Sequence, residues 1–328
     1  MKKCNPLKAL LLSLSLLGSI ASAQTAVDKW PEHELTLLVP FGPGSNPDIV
    51  SRLVAEHASK TLGKTIVVEN KPGAGGNIAT AAIAKAKPDG YTFGLSINGP
   101  LVYNQFIVDN LGYDPEKDLA PLTLAATQPN IIVTSNSTNA ANLKELVDAL
   151  KANPNKFNFA SVGVGSGSHL TSELLLKATG TDAVASHYKG SPDAVASVLA
   201  GDTHFATLAP GAVIKLGEEG KLRVLAQAGE KRSAALPNLP TITETGVANI
   251  SSQAWNGFVI SSQVDPAIQA KLQKALYDAL SLPEVQEKLR ALYMDPIPGT
   301  PEEFKAFMQK EKEVWQPIIE SLNLKQAQ

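Results

Sequence analysis

PFGPGSNPDIVSRLVAEH, residues 40–57, decides the fold. The apolar run Leu35–Val39 just before it reads as a strand, and the Gly, Pro and Ser residues that follow make a turn. Asn46, Pro47 and Asp48 then read as N-cap, N1 and N2 of a helix. Asn accepts a bond from an orphan N–H, Pro lacks the N–H that would go unpaired, and Asp complements the dipole. Ile49, Val50, Leu53 and Val54 recur at helical spacing. A loop of this kind presents backbone donors to whatever lies above it, a common way to hold an anion. No Lys or Arg lies between Pro40 and Ser51, so an anion there would be held without a countercharge.

The same alternation continues along the chain. Strands are expected at 65–69, 91–97, 156–161, 183–187, 204–208 and 222–226, with helices over 48–62, 77–87, 142–152, 169–179 and 192–200. Alternating elements mean an α/β fold with largely parallel sheets. Three further helices are expected at 267–280, 283–292 and 301–322, each with Pro near its start, as a cap on the last strand. A second strand–loop–helix unit, NFASVGVGSGSHLTSELL (158–175), resembles the opening one. The two lie about one domain length apart. Two long extended runs, Leu122–Val133 and Ala254–Ser261, are suited to carry the chain out of a first lobe and back. Ligands of open α/β sheets sit at the carboxyl ends of strands, so two facing lobes would place both loops in one cleft. A third helix start, Tyr188-Lys189-Gly190-Ser191-Pro192-Asp193, repeats the cap–Pro–Asp order; Asp48 and Asp193 read as helix capping.

At the N-terminus, Lys2, Lys3 and Lys8 precede the apolar run Ala9–Ile20, which ends in Ala21-Ser22-Ala23. This is the pattern of a secretory signal peptide cut before Gln24, and the run is short for a membrane span. The single cysteine, Cys4, leaves with it, so disulfides, thiolate metal sites and cysteine nucleophiles are not expected in the mature chain. Removing three lysines and no acid takes the formal charge from −2 to about −5. A mildly acidic surface argues against nucleic acid and anionic lipid as partners.

Several catalytic patterns are nearly present and fail. Gly63-Lys64-Thr65 lacks the first glycine of a phosphate loop, Ala58 standing in its place, and Gly163-Val-Gly165 has Ser168 where a dinucleotide fingerprint needs Gly. No nucleophile elbow surrounds Ser45, Ser166 or Ser168, and the five histidines show no ligand spacing. His169 either braces a Gly-rich turn or serves Ser166 in a hydrolase. Lys189, the one cation in these loops, is either a partner for an acidic ligand or an exposed structural lysine.

With these residues in hand, the chain resembles the Bug family, the periplasmic solute-binding receptors of tripartite tricarboxylate transporters. The resemblance covers nearly all of the mature chain: VPFGPGSNPD (39–48), VVENKPGAGGNIA (67–79), KPDGYTF (87–93), YDPEKDLAPL (113–122), ASVGVGSGSHL (160–170), HYKGSPDA (187–194), GKLRVLA (220–226), LPNLPTITETG (236–246), WNGF (255–258) and GTPEEFKAF (299–307). It implies a two-lobe periplasmic-binding-protein (Venus flytrap) architecture, each lobe a mostly parallel sheet flanked by helices. Lobe 1 is expected from residues 24–123 and 254–328, and lobe 2 from 124–253. A ligand carboxylate is typically pinched between two loops through backbone N–H groups, short hydroxyls and bridging waters. Carried over, the first loop is Phe41, Gly42, Gly44, Ser45 and Asn46, and the second is Ser161, Gly163, Gly165, Ser166 and His169. Gly75, Gly76, Asn77, Ser96, Ile97, Asn98, Tyr188 and Lys189 are candidate further walls. Ser45 and Pro47 depart from the family's usual first loop. The expected role is capture of a small organic acid by a monomer, without metal or cofactor, for delivery to a membrane permease. A secreted hydrolase built on Ser166 and His169, or the ligand-binding module of a signalling system, are the alternatives.

Overall fold

The computed structural model describes residues 29–233 and 235–322; the expected signal peptide and cleavage site lie outside the described residues. Two sheets organise the chain. The first has the order β11-β4-β10-β3-β1-β2 and the second β7-β6-β8-β5-β9. In the first, β1 (Leu35–Val39) lies between β2 (Ile66–Asn70) and β3 (Thr92–Ile97), paired in parallel with both. The second sheet repeats this with β6 (Asn158–Ser161) in parallel between β7 (Val184–His187) and β8 (Phe205–Leu208).

The remaining pairings are antiparallel, so both sheets are mixed. β10 (Gln253–Ser261) inserts between β3 and β4 (Leu119–Pro129), and β5 (Ile131–Thr134) inserts between β8 and β9 (Arg223–Gln227). These strands enter each sheet from the opposite lobe, which reverses their direction. Two-residue β11 (Asp295–Pro296) closes the edge beside β4. The run expected as one extended piece is broken at Asn130. β4 stays paired with β10 as far as Pro129, so residues 124–129 belong to the first sheet. The change of lobe expected after residue 123 falls inside this strand, whose pairing with β10 persists to its end. The return crossing runs between Gln227 and Gln253. The crossings are tied side by side: Ala228 N donates to Asn130 O at 2.7 Å and Ser252 N to Ala228 O at 2.6 Å.

Helices cover both faces of each sheet. α1 (Asn46–Leu62) follows β1 and α2 (Asn77–Ala84) follows β2. α3 (Leu143–Ala152), α4 (Gly167–Thr179), α5 (Ser191–Ala200) and α6 (Pro210–Glu218) belong to the second sheet. α7 (Pro266–Ser281), α8 (Pro283–Ala291) and α9 (Pro301–Leu322) return to the first. Leu35, Leu37 and Val39 of β1 face α1, α7 and α8 in one core, while Leu38 joins Tyr103, Trp255, Phe304 and Trp315 in the core under α9. α9 does more than cap a strand. It packs on β4 and also reaches α4, where Lys177 Nζ bonds Ser321 O. α6 was not expected, since Gly211 and Gly217 weaken its helical pattern, although Pro210 marks its start. The tight turn over Gly99–Tyr103 was also not expected.

β1 and β6 each stand where the strand order reverses, so the loops leaving their carboxyl ends open on a crevice. The topology therefore places residues 40–45 and 162–166 at one cleft between the sheets.

Candidate functional site

The two loops are built alike. In the first, Ser45 N and Ser45 Oγ both donate to Gly42 O, at 3.3 and 2.7 Å. In the second, Ser166 N and Ser166 Oγ both donate to Gly163 O, at 3.2 and 2.7 Å. Gly44 (φ 79°) and Gly165 (φ 71°) take the left-handed conformation that turns the chain into each helix. Each spends its N–H on the side chain four residues on: Gly44 N donates to Asp48 Oδ2 at 3.0 Å, and Gly165 N to His169 Nδ1 at 3.2 Å.

Ser45 is thus the N-cap, with Asn46, Pro47 and Asp48 at N1, N2 and N3, one step from the expected frame. Its extended backbone and the bond from Ile49 N to its carbonyl fix this. The third start shifts likewise, to a Gly190 cap followed by Ser191, Pro192 and Asp193. Asp48 is a scaffold residue. Its carboxylate also receives Arg52 Nε at 3.0 Å and Asn70 Nδ2 at 2.9 Å, and Asn70 holds Phe41 O as well. Burial alone would raise the Asp48 pKa, but the bonds from Arg52, Asn70 and Gly44 outweigh it and hold the carboxyl below its usual range. His169 is buried and braces its turn, with Nε2 3.5 Å from Glu173 Oε1. The Ser166 hydroxyl donates to Gly163 O and accepts from His169 N, so Ser166 and the His169 ring form no catalytic pair.

Between the loops lies a cavity of about 60 Å³. Four helix starts meet at its wall: Asn46 and Pro47 of α1, Gly167 and Ser168 of α4, Ser191 of α5, and Ala209, the cap of α6. The first-turn amides of a helix have no intrahelical acceptor, and each helix start carries about half a positive charge. Among the described residues no Asp, Glu, Lys or Arg lines this cavity. Its polar wall combines serines with carboxamides: Asn46 Nδ2 donates to Gln128 Oε1 at 2.5 Å, beside Asn98, Asn130 and Asn256. Asn98 Nδ2 and Asn256 Oδ1 are buried and have no hydrogen-bond partner among the described residues. Trp255 closes one side with its indole N–H donated to Glu311 Oε2 at 2.8 Å.

A second cavity, of about 290 Å³, shares Phe41 and Val162 with the first. It is lined by Gly73–Gly75, Asn77 and Val108 from one lobe, and by Gly163, Val164 and His187–Lys189 from the other. His187 Nδ1 lies 2.6 Å from Ser161 Oγ; burial, then the nearby His169, pushes its pKa below the ordinary value.

Of the expected site residues, Phe41, Ser45, Asn46, Ile97, Asn98 and Ser166 line the inner cavity, and Gly75, Asn77, Gly163, Tyr188 and Lys189 the outer. Gly42, Gly44, Gly165, His169 and Ser161 shape the loops without lining either cavity. Gly76 is packed between Pro40 and Pro100, and the Ser96 hydroxyl is held by Thr80 Oγ1 at 2.7 Å. Gln128, Asn130, Trp255 and Asn256 were missed. Their signal was a carboxamide or a Trp inside an otherwise apolar crossing strand. Among the described residues no cluster is arranged to hold a metal, and no helix is long and apolar enough to cross a membrane.

Residues 50–324 match the tripartite tricarboxylate transporter family receptor model. The chain is 31% identical over 305 residues to protein BugT of Bordetella pertussis, covering 93% of this chain and 94% of that one. A Rhodopseudomonas palustris protein solved with adipate superposes with a TM-score of 0.86 at 29% identity, covering 90% of this chain and 98% of that one. MatC from the same organism, with bound malate, gives 0.84 at 27% identity, covering 88% and 100%. The chain belongs to the Bug family of tripartite tricarboxylate transporter receptors.

Proposed function

We propose that this protein is an exported receptor that takes a small carboxylate into the inner cavity and delivers it to a membrane permease. The observation that carries the reading is the meeting of four helix starts at a cavity with no acidic lining residue. A carboxylate there would accept from the amides of Gly167 and Ser168 and from the unpaired Asn98 Nδ2, directly or through water. The adipate and malate bound by two relatives support the ligand class. The sheets serve as two lobes, residues 29–129 with 253–322 and residues 131–252, which close by bending at Asn130 and Ser252. The protein works as a monomer in the periplasm, after cleavage between Ala23 and Gln24. It is a receptor rather than an enzyme: the hydrolase alternative lacks its base, because His169 Nδ1 is spent on Gly165. The signalling alternative would use the same cleft.

A thermal-shift comparison tests this on mature protein, whose intact mass is expected to begin at Gln24. A panel of small carboxylates is set against the matching neutral amides. At ~100 times the dissociation constant an acid that binds stabilises by about 2.7 kcal/mol. Equal shifts from acid and amide, or none from any acid, would sink the proposal.

A further inference from the structure

The inner cavity accounts for one acidic group, and the outer cavity has a different electrostatic character. Among the described residues, Lys189 is the only Lys or Arg lining either of them, and no Asp or Glu lines either. Lys189 makes no ion pair with any described residue. Its position is fixed by its neighbour. Tyr188 N donates to Ser161 O at 2.8 Å, and Tyr188 OH to Ser197 Oγ at 2.6 Å. The lysine therefore leaves the end of β7 at a set place on the outer wall, opposite the Gly73–Gly75 turn of the other lobe. The two cavities share two apolar lining residues, Phe41 and Val162, and the outer one adds Val108 and Val164.

We propose that Lys189 is a specificity-determining residue for the far end of the ligand, so that the preferred ligand is a diacid with an apolar spacer. This rests on the carboxylate reading above and deepens it. One carboxylate sits among helix starts and carboxamides, where no fixed cation is needed. The spacer passes Phe41 and Val162, which offer it only hydrocarbon. The second carboxylate reaches the outer cavity and pairs with the Lys189 ammonium. A monocarboxylate of the same length would leave that ammonium unpaired and gain nothing from it. A ligand carrying an ammonium at its far end would be repelled.

The test uses calorimetry on the full mature protein, with succinate, adipate and suberate against the monoamide of each. For the best-fitting spacer, the parent protein is expected to prefer the diacid to its monoamide by about tenfold, the scale of one charge-assisted hydrogen bond. Lys189→Gln should bring diacid and monoamide to within about twofold, with the larger loss falling on the diacid. Lys189→Arg should keep the preference. Lys189 is exposed, so neither variant is expected to unfold the protein, and melting curves will verify that. A Lys189→Gln protein that still prefers the diacid overturns the proposal, as does a parent that binds diacid and monoamide equally. In those cases carboxylate recognition itself survives. If no carboxylate of any kind binds, the underlying reading fails and takes this inference with it.

Discussion

The loops at Gly42–Asn46 and Gly163–Gly167 share a backbone and differ in what anchors it. Both have a left-handed glycine, a Ser at the cap and an acceptor at N3 that takes the glycine's N–H. In the first loop the acceptor is a carboxylate, Asp48, held in turn by Arg52 and Asn70. In the second it is an imidazole, His169, buried against Phe159 and Glu173. The turn needs an acceptor at that distance, and the chemistry of the acceptor is free. Neither anchor reaches the cavity. That is how an acid can sit at the start of α1 beside the proposed anion site: the Asp48 charge is turned away and neutralised by its own donors.

The caps differ as well. Ser166 Oγ accepts from His169 N and so closes the first turn of α4, whereas Ser45 caps no side-chain bond in α1. The first loop is held from below by β2 through Asn70, and the second by its own helix.

The largest expected contrast comes from the glycines. Alanine at either pays the left-handed penalty, about 1–2 kcal/mol. A Cβ on Gly44 would meet nothing within 4 Å, but one on Gly165 would stand 1.8 Å from Asn104 Oδ1 across the interlobe contact. Gly165→Ala should therefore cost roughly 1–3 kcal/mol more than Gly44→Ala, as overpacking does. Pairing it with Asn104→Ala should recover much of that excess. Urea unfolding of the four variants measures this. Equal losses at the two glycines would mean that the loops are interchangeable and that the Asn104 contact carries no weight.

That contrast also shows what the sequence could reveal. Gly, Ser and Pro punctuation exposed both strand–loop–helix units, and periodicity exposed most helices, because those signals are local. The cap of α1 was misplaced by one residue because Ser45 and Asn46 are both good caps, and the Ser45 hydroxyl is spent on Gly42 O. Gly44 and Gly165 were carried over from the resemblance as loop residues of a site that offers backbone N–H groups to a carboxylate. Their N–H groups are instead taken by side chains four residues on, a geometry that spacing alone does not disclose. Gln128, Asn130 and Asn256 reach the cavity only because two distant strands cross beside each other, and that is a long-range fact.

The anchors give the next largest effect. Asp48→Asn keeps the shape but removes the charge, leaving Gly44 N–H or the Arg52 guanidinium facing an amide N–H. The expected cost is about 1–3 kcal/mol at neutral pH. The pH dependence follows from the lowered pKa. Asp48 contributes its stability above the ordinary value of 3.8, and the contribution is lost as pH falls through the lower folded value. The gap between parent and variant should therefore close in acid. Denaturant midpoints across that range check it, and a gap that persists unchanged to the lowest pH would show that the carboxylate's charge is not what anchors the first loop.

The smallest contrast separates the two serines. Ser166→Ala removes the donor to Gly163 O and leaves His169 N–H without its cap, two bonds in a buried turn. Loss of a helix cap of this kind costs about 1 kcal/mol. Ser45→Ala removes only a donor to Gly42 O, and that carbonyl keeps the bond from Ser45 N. About 0.5 kcal/mol is expected there, the low end for a hydrogen bond whose acceptor stays satisfied. Because the serines stand on different lobes with no shared partner, the double variant should show the sum of the two losses when no ligand is present. With a saturating carboxylate the sum should fail, since both helix starts then face one anion and a shift in either turn changes what the other can reach. Midpoints at constant denaturant slope, with and without ligand, separate the cases. Additivity in both conditions would mean that the two turns, for all their likeness, do not act on a common ligand.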